Sequence, residues 1–129
     1  MNSKHRVLIV DDLADLRSLV RIYLEGSGFR VAEADSGAEA LDLLDGGEAF
    51  ALILSDQDMP GMKGTEFYRT VCARWPAMSR RFIFISGSSI SDPSGPDCPL
   101  VEKPFSPDQL IETVSRQLEY AASASHAGA

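Results

Sequence analysis

Two apolar runs in this chain break off at carboxylates. "RVLIV" at 6–10 runs into Asp11 and Asp12, and "FALILS" at 50–55 runs into Asp56 and Asp58, with Pro60-Gly61 turning the chain just behind. Short runs that are apolar at every position suit strands covered on both faces, the pattern of a buried parallel sheet. A carboxylate at the end of such a strand is costly unless a cation or hydrogen-bond donors meet it. The acids therefore demand a partner.

Between the runs the apolar period changes from strand to helix. Leu16, Val20 and Leu24 form one helix face that "GSG" at 26–28 stops, and "FRVAEA" at 29–34 reads as a second strand. "SGAE" at 36–39 has the form of a capping box. Ala38, Leu41 and Leu44 follow at helical spacing, with Gly46 and Gly47 as terminator. After the third strand a helix from about Gly64 buries Phe67, Val71 and Trp75 until Pro76 ends it. "RFIFIS" and "PLVE" are the fourth and fifth strands. "SPDQ" at 106–109 opens the last helix, with Leu110, Val114 and Leu118 as its buried face. The small, polar "AASASHAGA" reads as frayed, so the expected organisation is one domain over 1–122 and a flexible tail over 123–129.

This alternation predicts an α/β fold, a doubly wound parallel sheet with helices on both faces and right-handed crossovers. One gap interrupts it. "GSSISDPSGPDCP" at 87–99 carries Pro93, Pro96 and Pro99 where a helix between the fourth and fifth strands would stand. Each interior proline costs a helix about 3 kcal/mol, so a loop or a single turn is expected there.

A chain of 129 residues that is 44% hydrophobic can build one sizeable core. Its net charge of -7 opposes binding to nucleic acid or to an anionic membrane. No apolar run approaches a bilayer span, and "MNSKHR" is too short and polar for a signal peptide, which predicts a soluble, cytoplasmic protein. Cys72 and Cys98 are too few and too far apart for a zinc framework, and His5 and His126 have no ligand at metal spacing.

In a doubly wound sheet, ligands bind at the carboxyl ends of the strands near the switch in strand order. Asp11, Asp12, Asp56, Ser86 and Lys103 stand at or just past such ends. Two carboxylates about 4 Å apart repel by about 4 kcal/mol at an effective dielectric of 20. A divalent cation resolves this, and Mg²⁺ takes oxygen ligands. One carboxylate is then free to act as a nucleophile toward phosphorus, with Lys103 and Ser86 neutralising and hydrogen-bonding the phosphoryl oxygens.

"VDD" at 10–12, "SDQDMPGMKG" at 55–64, Ser86 followed by Gly87, and "EKPF" at 102–105 together resemble the receiver domain of two-component response regulators. The resemblance spans 5–120. It implies a flavodoxin-like, five-stranded sheet in order 2-1-3-4-5 and an exposed Asp56 as phosphoacceptor. It places Asp11, Asp12 and Asp56 at Mg²⁺ with the backbone carbonyl of Asp58. Ser86 would move toward the phosphoryl group, Lys103 would pair with it, and the Lys103-Pro104 bond would be cis. The implied partner is a sensor histidine kinase or a histidine phosphotransfer protein, and the implied chemistry is stoichiometric self-phosphorylation, not enzymatic turnover. No effector domain follows the last helix, so a single-domain regulator or the receiver of a hybrid kinase is expected.

Two features depart from that pattern. Leu100 stands where similar receivers carry a Tyr or Phe that turns inward, and the proline-rich 88–99 segment stands where the family places its fourth helix. The expected readout is therefore a reordering of the 86–99 loop through Ser86. Asp58 is an unusual acid two past the acceptor, placed to tune hydrolysis.

Blander readings exist for each residue. Asp11 and Asp12 could serve as a helix cap, Asp56 as a turn residue, and Ser86 as plain loop composition. The rival function is a phosphatase of the haloacid dehalogenase type, since "DQD" at 56–58 matches its Asp-x-Asp pair. A receiver-like interaction module that takes no phosphate is the third.

Overall fold

The computed structural model describes residues 5–87 and 98–127. Five parallel strands alternate with helices: β1 (Arg6–Val10), α1 (Ala14–Gly26), β2 (Arg30–Ala34), α2 (Gly37–Asp45), β3 (Leu52–Asp56), α3 (Gly64–Arg74), a 3₁₀ turn (Pro76–Arg80), β4 (Phe82–Ser86), β5 (Leu100–Glu102) and α4 (Pro107–Ala127). The sheet is doubly wound, as the alternation predicts, and its order β2-β1-β3-β4-β5 is the flavodoxin-like one that the resemblance implies. The reduced helix expected before β5 falls on 88–97, outside the described residues, as does the His126 side chain.

The period of two along each strand explains why the runs are apolar throughout. Leu8, Val10, Ile53, Phe82 and Phe84 face one side and meet Ala40, Leu44, Phe67 and Val71 from α2 and α3. Val7, Ile9, Leu52, Leu54, Ile83 and Ile85 face the other and meet Val20, Leu24, Leu110 and Val114 from α1 and α4. Each fully buried ring among Phe67, Phe82 and Phe84 contributes about 1.5–3 kcal/mol. Tyr68 stacks edge-on to Phe82, with centroids 4.9 Å apart, and extends the cluster toward α3.

Local signals set the helix ends. Ser36 Oγ accepts from the Glu39 amide at 3.1 Å, although Glu39 Oε1 reaches the Asp35 amide at 2.6 Å and so closes the motif one residue early. At α4 the box is complete: Ser106 Oγ accepts from the Gln109 amide at 3.1 Å and Gln109 Oε1 from the Ser106 amide at 2.8 Å. The Lys103-Pro104 bond is cis, as the resemblance implies.

Two expectations need correction. Ala38 is exposed and Leu41 only half-buried, because the sheet-facing stripe of α2 runs through Ala40 and Leu44. Leu118 is half-buried, while Gln117 is buried and donates to the Arg80 carbonyl at 2.7 Å. The last helix, α4, runs from Pro107 to Ala127, and its alanine-rich end carries little helix penalty. No helix among the described residues is long and apolar enough to cross a membrane.

Strand order positions the site. β1 pairs with β2 on one side and β3 on the other, so the switch point lies between β1 and β3, and Val10 is in register with Ser55. One residue further along each strand stand Asp11 and Asp56. Asp56 in turn is in register with Ile85, and Ser86 with Glu102, which brings Ser86 and Lys103 to the same edge.

The start of α3 lies tight against this edge. A Cβ built on Gly64 would sit 2.4 Å from the Asp56 carbonyl and 2.8 Å from Gln57 Cα, both backbone atoms with no room to yield. Gly64→Ala is expected to destabilise the fold by about 1–3 kcal/mol, read as a lower urea midpoint; an unchanged midpoint would show that the helix can move away freely.

Candidate functional site

Asp11 is held from several directions. Its amide donates to the Ala34 carbonyl at 3.1 Å, and its Oδ1 accepts from the Leu13 amide at 2.9 Å in an Asx-type turn that launches α1. Arg17 Nη1 donates to its carbonyl at 2.6 Å while Arg17 Nε bonds Glu33 Oε1 at 3.0 Å. Glu33 also takes Arg21 Nη1 at 2.5 Å, and Arg21 first, then Arg17, holds the Glu33 carboxyl below its ordinary range. The capping reading of Asp11 is thus half of its role. One oxygen serves the backbone, and Oδ2 faces the site.

Asp56 is the last residue of β3 and only 3% exposed. The expectation of an exposed acceptor is corrected here: β3 is the central strand, and the start of α3 packs over its end. Lys103 Nζ lies 3.4 Å from Asp56 Oδ1 and 3.9 Å from Asp11 Oδ2, a shared counter-cation for two buried acids. Burial pushes both carboxyls above their usual range. For Asp56, Lys103 and a hydrogen bond from the Asp58 amide oppose that rise; for Asp11, the Leu13 amide and Lys103 do, while the Asp56 charge adds to it.

The exposed Asp12 completes the acidic group. Asp11, Asp12 and Asp56 each present a carboxylate oxygen within 4.8 Å of the others. Ligands at about 2.0–2.1 Å from Mg²⁺ lie up to about 4 Å apart across the octahedron. The spacing and the all-oxygen chemistry therefore fit a hard divalent cation after a small closure.

Ser86 is fully buried at the end of β4; its hydroxyl lies 3.5 Å from Asp58 Oδ2, and its carbonyl accepts from the Lys103 amide at 2.9 Å. The Asp58 side chain is half-exposed, with Lys63 Nζ 3.9 Å from Oδ1. The structure thus brings Asp11, Asp12, Asp56, Ser86 and Lys103 to one edge, with Asp58 at its rim. This set can hold a divalent cation, present a carboxylate nucleophile and neutralise an incoming anion.

Two positioned residues escape the sequence pattern. Arg17 reads as a solvated helix arginine. Gln57 reads as filler between two acids, yet its Oε1 accepts from the Thr65 amide at 2.8 Å and its Nε2 approaches Thr65 Oγ1 at 3.4 Å. The one available signal is a polar amide shortly before a helix whose N-cap position, Lys63, has no acceptor in its side chain.

A family model described as "Response regulator receiver domain" matches residues 7–94. The hydrogenase transcriptional regulatory protein HoxA of Cupriavidus necator is 38% identical over 119 residues, covering 88% of this chain and 24% of HoxA. The response regulator receiver protein CpdR of Brucella abortus is 32% identical over 116 residues, covering 88% of this chain and 96% of CpdR. The crystal structure of the response regulator protein TrrA from Thermotoga maritima, in complex with Mg(2+)-BeF, superposes with a TM-score of 0.79 at 29% identity, covering 88% of this chain and 98% of that one. The chain spans between about a quarter and just over half of the length of several curated relatives that it matches. Lys103 lies beyond the family-model match, and its place beside Asp56 rests on the structure.

Because the Asp56 carboxyl is held above its usual range, ionising it weighs against the folded state, and that weight is fully present once the pH exceeds the raised value. At pH 7 in EDTA, Asp56→Asn is expected to raise the melting temperature by a few degrees, the size of about 1 kcal/mol. Any stabilisation on adding Mg²⁺ should also be smaller in this variant than in the wild type. A melting temperature at or below wild type in EDTA would contradict the electrostatic account.

Proposed function

The chain belongs to the response regulator receiver domain family, and from that premise we propose that it accepts a phosphoryl group from a phosphohistidine onto Asp56. The observation that carries the reading is Asp56 at the switch-point strand end with Lys103 Nζ 3.4 Å away and Asp11 and Asp12 beside it. An Asp56 carboxylate oxygen attacks phosphorus, the P–N bond of the donor breaks as the P–O bond forms, and the departing imidazole takes up a proton. The product stays on the protein, so the reaction is stoichiometric. The phosphatase reading loses ground, because the Asp-x-Asp pair follows the central strand of a receiver fold.

Asp11, Asp12 and Asp56, with the Asp58 carbonyl, are the groups that would hold Mg²⁺. When bound, the cation neutralises charge on the oxygens of the transferred group. The Mg(2+)-BeF complex of the Thermotoga relative supports this assignment by analogy. Lys103 exchanges its contacts with Asp11 and Asp56 for a phosphoryl oxygen, and Ser86 gives up its approach to Asp58 to donate to another. Leu100 has no ring to rotate inward, so the switch passes through Ser86 and the segment that follows it.

We assign the donor as a sensor histidine kinase or a histidine phosphotransfer protein. Leu13, Leu16 and Leu19 line a hollow of about 580 Å³ that reaches Lys103, an apolar surface beside the acceptor for a protein donor to approach. Some relatives are transcriptional regulators of which this chain spans only a part. That this domain itself makes no nucleic-acid contact rests on its net charge of -7.

Intact mass after incubation with acetyl phosphate is expected to show one phosphoryl adduct that needs both Mg²⁺ and Asp56, and none in Asp56→Ala. No adduct in the wild type, or one retained by Asp56→Ala, would overturn the assignment. In Asp58→Asn the adduct should persist longer, because the carboxylate 3.5 Å from the Ser86 hydroxyl no longer orients hydrolytic water. A half-life equal to wild type would remove the Asp58 side chain from hydrolysis.

A further inference from the structure

The residue at the N-cap of α3 has no acceptor in its side chain. The first amides of the helix need acceptors, as at any helix N-terminus, and Lys63 at the N-cap position carries donors only. The Lys63 amide is met from within α3, where Glu66 Oε1 accepts from it at 3.1 Å. The Thr65 amide is met from outside the helix by Gln57 Oε1 at 2.8 Å, and Gln57 Nε2 lies 3.4 Å from Thr65 Oγ1.

The main chain of Gln57 is equally engaged. Its carbonyl accepts from the Met59 amide at 3.2 Å, closing a three-residue turn centred on Asp58, and from the Gly64 amide at 3.0 Å, closing the whole loop. Thr65 is only 8% exposed, so water competes poorly for these bonds. A carboxamide suits the place because it accepts and donates at once and adds no charge among the acids.

We propose that Gln57 is a positioning residue: it caps α3 from the acceptor loop and thereby fixes the Asp58 backbone carbonyl where a divalent cation binds. The inference rests on the metal-dependent receiver reading above and deepens it. It also makes the first turn of α3 mechanically continuous with the metal site. Loss of the side chain leaves the loop joined to the first turn of α3 by the Gly64-to-Gln57 main-chain bond and the shielded Thr65 amide without its acceptor.

The test is Mn²⁺ titration of the full chain by electron paramagnetic resonance, with amide exchange at Thr65 followed in parallel. Gln57→Met, similar in length and without an acceptor of comparable strength, is expected to raise the Mn²⁺ Kd about tenfold, the size of an outer-shell loss, and to speed exchange at Thr65. Gln57→Glu keeps the acceptor and is expected to restore Thr65 protection and to bind Mn²⁺ at least as tightly as wild type. Wild-type Mn²⁺ affinity in Gln57→Met overturns the inference alone. If Gln57→Met does not fold, unprotected Thr65 or weakened Mn²⁺ binding in Gln57→Glu overturns it. Failure of the wild type to bind Mn²⁺ overturns the receiver reading itself.

Discussion

Mutual repulsion of carboxylates at the switch point governs the rest of this structure. Asp11 and Asp56 end two neighbouring parallel strands, nearly out of contact with water, and the exposed Asp12 adds a third charge. Burial raises both buried carboxyls, and their charges oppose each other. Lys103 meets both without neutralising the set. Three acids against one lysine leave an excess of negative charge at this edge, an arrangement whose all-oxygen chemistry fits a hard divalent cation. Packing alone gives no reason to bury two acids, with a third beside them, where apolar residues would be cheaper.

The surroundings act as a frame for that charge. Arg17 and Glu33 brace the Asp11 main chain from α1 and β2, the Asx turn fixes one of its oxygens, and the Ser86 carbonyl ties Lys103 to β4. On the other side, Gly61 at φ +83° turns the loop, and Gly64 lets α3 rest directly on the Asp56 carbonyl. Gln57 joins this loop to the helix. Under the proposed function such placement is what the chemistry asks for, since phosphoryl transfer depends on positioning and charge neutralisation.

Legibility followed the physics of each signal. The apolar runs and Ser caps were readable because they reflect local geometry and burial on both faces. Ala38 misled because small residues satisfy several helical faces equally well, and only contact with the sheet selects Ala40 and Leu44. Asp56 was misjudged as exposed because a strand end can lie at the surface or beneath a neighbouring helix. Gln57 and Arg17 were silent, since a polar side chain reveals its partner only when the chain is folded.

By itself, the sequence determined the alternation of strands and helices, the acids and the lysine that meet at one edge, and the resemblance that the family match bears out. Those features depend on residue type and spacing along the chain. Only the tertiary structure decided that Asp56 is buried, that Lys103 is shared between two acids, and that α3 is capped by the acceptor loop. Each of these joins residues from different elements, and their distances are set by how strands pair and helices pack, which no local pattern encodes.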